Sequence, residues 1–156
     1  MARNGSVNFS DLNDFRQKLE KNLGGDQVDL FIEACAKELA ARLLAKVIKR
    51  TPVGQYPTSS GKKGGTLRRG WTNGKSQAAN AYANSLNVNH YGDTFVVEII
   101  NPVEYASYVE FGHRTRNHEG WVEGKFMLTI SEQEIESDAP KILENKLKKK
   151  LGECFK

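Results

Sequence analysis

From Asp26 to Arg50 the chain sets Val28, Phe31, Ile32, Cys35, Leu39, Leu43, Val47 and Ile48 at spacings of three and four. That period lays one apolar stripe along a helix. Asp26 is a candidate cap, and Asp29 lies three residues on in the first turn, where the helix dipole favours an acid. Lys46, Lys49 and Arg50 fall in the last turn, the end that favours cations. Thr51-Pro52 stops the helix, because proline disfavours helical geometry in the residue before it. At 1.5 Å per residue such a helix is about 37 Å long. An element of that length spans a whole domain and needs an apolar layer packed along it.

The remaining segments supply that layer. Phe9, Leu12, Phe15, Leu19 and Leu23 predict an amphipathic helix over residues 9–23, capped by Ser10 and ended by Gly24-Gly25. Residues 1–8 before it read as a flexible N-terminus. Residues 53–66 hold four glycines and one proline with no apolar period, which predicts an extended, projecting loop. Residues 67–101 read as β structure. Leu67–Trp71 opens a strand, Asn73-Gly74 is a turn, and Gly92-Asp93 joins strands over 85–91 and 94–100. Phe95-Val96-Val97-Glu98-Ile99-Ile100 is rich in β-branched residues and predicts a central strand. Residues 102–111 turn helical, with Tyr105, Tyr108, Val109 and Phe111 on one side, read as core, and Gly112 as terminator. A polar loop follows over 113–124. Residues 125–136 begin a helix, and Ser137 or Asp138 caps a last one carrying Ile142, Leu143, Leu147 and Leu151. The expected fold is α+β, in one domain over 1–156: a small antiparallel sheet packed against a long N-terminal helix, with a C-terminal helix.

A chain of 156 residues that is 38% hydrophobic can bury a core without disulfide or metal support. Cys35 and Cys154 fit no zinc or C-x-x-C pattern and read as free thiols of a reducing compartment. No run approaches the roughly 18 apolar residues of a membrane span. The opening Met-Ala-Arg-Asn-Gly-Ser lacks the apolar core of a secretory signal, so synthesis and assembly in a cytoplasm are expected. The formal charge is +4, and residues 141–156 hold six lysines against two glutamates. Such a tail either steers toward an anionic partner or is a solvated helix end that complements its dipole.

No constellation points to catalysis, a cofactor or a metal. His113 and His118 stand five apart in no standard metal spacing, and Arg114 and Arg116 between them repel a cation. Gly61-Lys-Lys-Gly-Gly-Thr has the composition of a phosphate loop but not its order. Arg68-Arg69 with Trp71 can meet phosphates and stack on a base, or can open a strand with the indole in the core. Glu110 can pair with Arg68, Arg69 or Arg114.

The order of three segments resembles a family. A helix ends in Thr51-Pro52-Val53. Gly65-Thr66-Leu67-Arg68-Arg69-Gly70 follows, and Asn101-Pro102-Val103-Glu104-Tyr105-Ala106-Ser107-Tyr108-Val109-Glu110-Phe111-Gly112 closes a β-rich stretch before Gly124-Lys125-Phe126-Met127. This is similar to the small neck and tail-completion (head–tail joining) proteins of long-tailed bacteriophages, over roughly residues 10 to 150 of this chain. The chain departs from that pattern by inserting Gly54 to Gly64, and by having Lys125 where the family often has proline. The resemblance implies a structural virion protein and no enzyme. It implies a hexameric or dodecameric homo-oligomeric ring, assembled in the host cytoplasm. The ring would join head to tail, cap the tail tube as a terminator, or form another ring of the neck. Its partners would be neighbouring neck, connector and tail-tube proteins and, transiently, viral DNA in the lumen, with no membrane. Candidate contact residues are Gln55, Tyr56, Lys62, Lys63, Arg68, Arg69, Glu110, His113, Arg114 and Arg116, in loops 53–66 and 112–124 and beside them. The reading from another class is a basic nucleic-acid-binding module; a metal enzyme on His113 and His118 is the third.

Overall fold

In the computed structural model, residues 4–8, 16–17 and 24–154 are described. The long apolar stripe forms helix α1, Gly25–Arg50. Its buried face carries Val28, Phe31, Ile32, Cys35, Leu39, Leu43 and Val47, with Ala36, Ala40 and Leu44 filling the gaps between them. Asp26 sits inside the first turn, and Gly24 rather than Asp26 occupies the cap position. Thr51 leaves the helix in extended geometry while its N–H donates to the Val47 carbonyl at 2.9 Å.

Strand β1 (Asn4–Asn8) pairs antiparallel with β3 (Thr94–Ile100), which pairs on its other edge with β2 (Asn89–Tyr91). Residues 4–8 of the expected flexible N-terminus are therefore a sheet edge, in register from Asn4 opposite Ile100 to Asn8 opposite Val96. The β2–β3 hairpin turns at Gly92-Asp93, with Tyr91 opposite Thr94. The β3 strand is central, as its composition predicts, and its alternate residues Phe95, Val97 and Ile99 are buried. Of the helix expected over 9–23, only Arg16 and Gln17 lie among the described residues, and both are helical.

Four expectations fail for local reasons. Leu67–Trp71 does not open a strand. Helix α2 (Thr66–Gly70) forms instead and buries Leu67 on one side, with Trp71 next along the chain. The ambiguous alanine-rich stretch becomes helix α3 (Ala79–Ser85), in line with alanine's propensity, leaving only three residues of the expected 85–91 strand. Helix α4 (Ala106–Phe111) is followed not by an open loop but by a second, two-stranded sheet of β4 (Gly112–Arg114) and β5 (Trp121–Glu123). The two expected C-terminal helices are one, α5, Met127–Cys154, with Pro140 inside it. Pro140 and Glu136 are both on the exposed side, where water can take the carbonyl that the proline leaves without a donor.

Helix α1 is the axis of the fold: α3, α5 and β3 all pack on it. The core joins its stripe to Trp71, Ala83, the inward face of β3, and Met127, Leu128, Ile135 and Leu143 of α5. Along the α1–α5 seam, two carboxylates each take two cations. Glu38 is shared by Arg42 and Lys146, and Glu134 by Lys46 and Arg50. No helix among the described residues is long and apolar enough to cross a membrane.

Candidate functional site

The three motif segments meet in space, and most of what they do is architectural. The Thr51 hydroxyl accepts from the Trp71 indole N–H at 2.8 Å and donates to the Val47 carbonyl at 2.6 Å. Arg68 donates to the Thr51 carbonyl through Nε at 3.2 Å and Nη2 at 2.7 Å. The Asn101 amide donates to the Leu67 carbonyl at 2.9 Å and accepts from the Val103 N–H. Gly70 packs so closely on the Asn101 side chain that any Cβ there would overlap it. Thr51, Trp71 and Asn101 are all buried. Arg68 is thus a clasp on the end of α1 and Trp71 is core, which removes both from a base-stacking, phosphate-gripping surface. Arg69 remains exposed beside the Gly64 carbonyl.

Glu110 is withdrawn as well, being only 1% exposed. Its carboxylate caps α5: Oε2 accepts from the Leu128 N–H at 2.9 Å, and Oε1 from the Thr129 N–H at 2.9 Å and hydroxyl at 2.6 Å. An acid at that end also meets the positive pole of the helix dipole. Its backbone carbonyl accepts from Phe126, and that of Val109 from Lys125. Helix α4, the hairpin and the start of α5 are thereby tied into one unit. Gly112, at φ +86°, makes the corner between α4 and β4, where a side chain would strike the β5 backbone.

That unit presents an exposed surface. Tyr105 at the cap of α4, and Tyr108 and Phe111 within it, are 45%, 57% and 49% exposed, so the face read as core is open. Trp121 and Val122 of β5 and Phe126 are exposed beside it in the chain. Tyr108 meets His113 edge-on at 5.9 Å between ring centres, and His113 Nδ1 lies 2.8 Å from the Arg114 carbonyl. A cleft of about 600 Å³ is lined by Tyr105, Tyr108, His113, Arg114, Arg116 and His118. Among the described residues no three histidine, cysteine or acidic side chains converge as a metal site.

Loop 53–65 folds back on itself. Gly64 approaches the Gly54 carbonyl too closely for any side chain, so the two ends of the inserted segment touch. Within it, Thr58–Ser60 forms one 3₁₀ turn, and Lys62 sits over the Tyr56 ring at 5.9 Å. Gln55, Tyr56, Lys62 and Lys63 are all exposed. A groove of about 260 Å³ runs between this loop and α4, and Tyr105 and Val109 line both it and the hairpin cleft. Of the ten candidate residues, Arg68 and Glu110 serve the scaffold and Arg69 flanks the loop; Tyr56, Lys63, His113, Arg114 and Arg116 line the two adjoining depressions, and Gln55 and Lys62 are exposed on the loop outside them. Sequence reasoning missed Trp121, Val122 and Phe126; a tryptophan between Gly120 and Gly124 was the available signal.

A family model described as "Bacteriophage HK97-gp10, putative tail-component" matches residues 13–112. No curated protein and no solved structure matches the chain.

Proposed function

This chain belongs to the HK97-gp10-like family of bacteriophage tail components, and from that premise we propose that it is a ring subunit of the phage neck. Membership makes it a structural protein of the tail and so of the virion. The ring joins the head to the tail or completes the tail, and it acts by holding neighbouring subunits rather than by transforming a substrate.

The observation that carries this reading is the set of exposed aromatic side chains Tyr56, Tyr105, Tyr108, Phe111 and Trp121, of which the three tyrosines line two adjoining depressions beside the tied α4–hairpin unit. Large exposed apolar patches on soluble proteins mark contact sites, and aromatic and arginine side chains are the usual anchors of interfaces. Arg114 and Arg116 border the patch. A ring closes through heterologous contacts, in which this face meets a different face of the next copy. The loop 53–65, on which Gln55 and Tyr56 are exposed, then reaches toward an adjoining ring.

Light scattering and electron microscopy of the purified protein test the reading, with Tyr108→Ala/Trp121→Ala beside the wild type. Rings in the wild type and monomers in the folded double variant are expected. Particles made without the protein separate the two neck roles. Intact heads beside tails of normal length indicate joining, and tails of irregular length indicate a terminator. Complete, infectious virions lacking the protein would refute both.

A further inference from the structure

The seam between α1 and α5 concentrates the positive charge of the chain. Arg42, Lys46, Lys49 and Arg50 run down α1, and Lys141, Lys146 and Lys149 run along α5. Three carboxylates, Glu38, Glu134 and Asp138, lie among these seven cations. The excess is +4, equal to the formal charge of the whole chain.

The seam is also shaped. Two adjoining depressions of about 610 and 400 Å³ run between the helices. At 1.5 Å per residue, each basic row is about 12 Å long, the span of three to four phosphates on one strand of a duplex. The carboxylates divide the cations into two kinds. Arg42, Lys46, Arg50 and Lys146 are held by Glu38 and Glu134; the last three knit the helices together, and Arg42 pairs along α1. Lys49, Lys141 and Lys149 are exposed at the edges, and none of the seam's ion pairs includes them. Two of the other basic candidates are engaged elsewhere: Arg68 donates to the Thr51 carbonyl, and Lys62 lies over Tyr56.

We propose that the α1–α5 seam is the surface by which this protein touches double-stranded nucleic acid, gripping the phosphate backbone through Lys49, Lys141 and Lys149. It rests on the ring reading, in which DNA passes the subunits, but its test does not depend on ring formation. Three cations outside the ion pairs of the described residues give a salt slope of about −2.7, so affinity falls about 40-fold between about 50 and 200 mM salt. The contact is weak at physiological salt because the carboxylates have already neutralised part of the seam, and weak contact lets a duplex slide.

Fluorescence anisotropy with a short labelled duplex, titrated at several salt concentrations, tests the assignment on the full chain. Lys49→Glu/Lys141→Glu/Lys149→Glu is expected to abolish binding. The milder Lys49→Gln/Lys141→Gln/Lys149→Gln variant is expected to flatten the salt slope toward zero with an unchanged circular dichroism spectrum. Lys62→Glu/Lys63→Glu is expected to bind as wild type does. Light scattering on the same samples reads assembly separately, so loss of rings with duplex binding intact would sink the ring reading alone. Unchanged affinity and slope in the glutamine variant would overturn the proposal. So would a variant that keeps its duplex binding but no longer associates with other virion proteins, since that assigns the seam to an acidic protein.

Discussion

Replacing Glu110 should cost more stability than any surface glutamate can. Its carboxylate is buried and accepts three hydrogen bonds from the first turn of α5, two of them from backbone N–H groups with no partner inside the helix. Loss of a single neutral cap costs about 1 kcal/mol, and bonds to a charged acceptor about 1.5–3 kcal/mol each, although such values do not add fully. For Glu110→Ala, which leaves the donors without an acceptor and opens a small cavity, about 3–4 kcal/mol is expected. Glu110→Gln keeps one oxygen acceptor but places an amide N–H₂ against other donors, and should cost about 2 kcal/mol. In a domain of this size, 3–4 kcal/mol lowers the melting temperature by about 6–16 °C. Urea unfolding followed by circular dichroism measures both variants. An unchanged m-value with a lower midpoint would show that the native state is intact but weakened. A loss below about 1 kcal/mol in Glu110→Ala would mean that the α5 cap does not hold the α4–hairpin unit in place.

Other perturbations probe the scaffold independently. Leu39→Ala, at a core position only 1% exposed, should destabilise by about 2–5 kcal/mol in urea melts, and a loss under about 1 kcal/mol would contradict its packing. Deleting residues 54–64 should leave cooperative unfolding intact, because the two ends of the segment already touch, and should impair assembly measured by light scattering. Partial burial raises the Glu38 carboxyl, but hydrogen bonds from Lys146 and Arg42 outweigh it and hold its pKa below the ordinary 4.5. A depressed folded-state pKa gives stability that is present above 4.5 and lost as pH falls through the lower folded value. The stability of Glu38→Gln should accordingly fall less steeply than wild type below about pH 4.5, and parallel acid limbs would refute this.

How much was legible follows from element length and from what covers each face. Helix α1 repeats its apolar spacing over seven turns, and β3 alternates over seven residues beside a Gly-Asp turn, so both declare themselves. Helix α2 has five residues, too few to show a period, and its buried Leu67 fits a strand equally well. Strands β4 and β5 have three residues each, and β5 is exposed throughout, so no alternation existed to read. For α4, spacing established that Tyr105 and Tyr108 share a face. Whether anything covers that face depends on elements distant in sequence, and none of the described residues buries it. The same holds for Arg68 and Glu110: a charged side chain looks alike in sequence whether it greets a partner or closes a helix end.

The family match ends at Gly112, yet the fold does not. Beyond that point lie β5 and all of α5, and Met127, Leu128, Ile135 and Leu143 of α5 are at most 5% exposed in the shared core. Full burial of such side chains contributes about 1.5–3 kcal/mol each, or about 6–12 kcal/mol for the four. A domain is stable by only about 5–15 kcal/mol, so this one helix accounts for a sum comparable to the whole margin. Removing it would also expose the α1 face beneath and strip the Glu110 carboxylate of its Leu128 and Thr129 donors. A fragment ending at Gly112 is therefore expected to lack cooperative thermal unfolding and to regain it when the 113–156 segment is added in trans. A sharp, reversible melt of the fragment alone would show that the matched region is an autonomous domain and that α5 is an appendage.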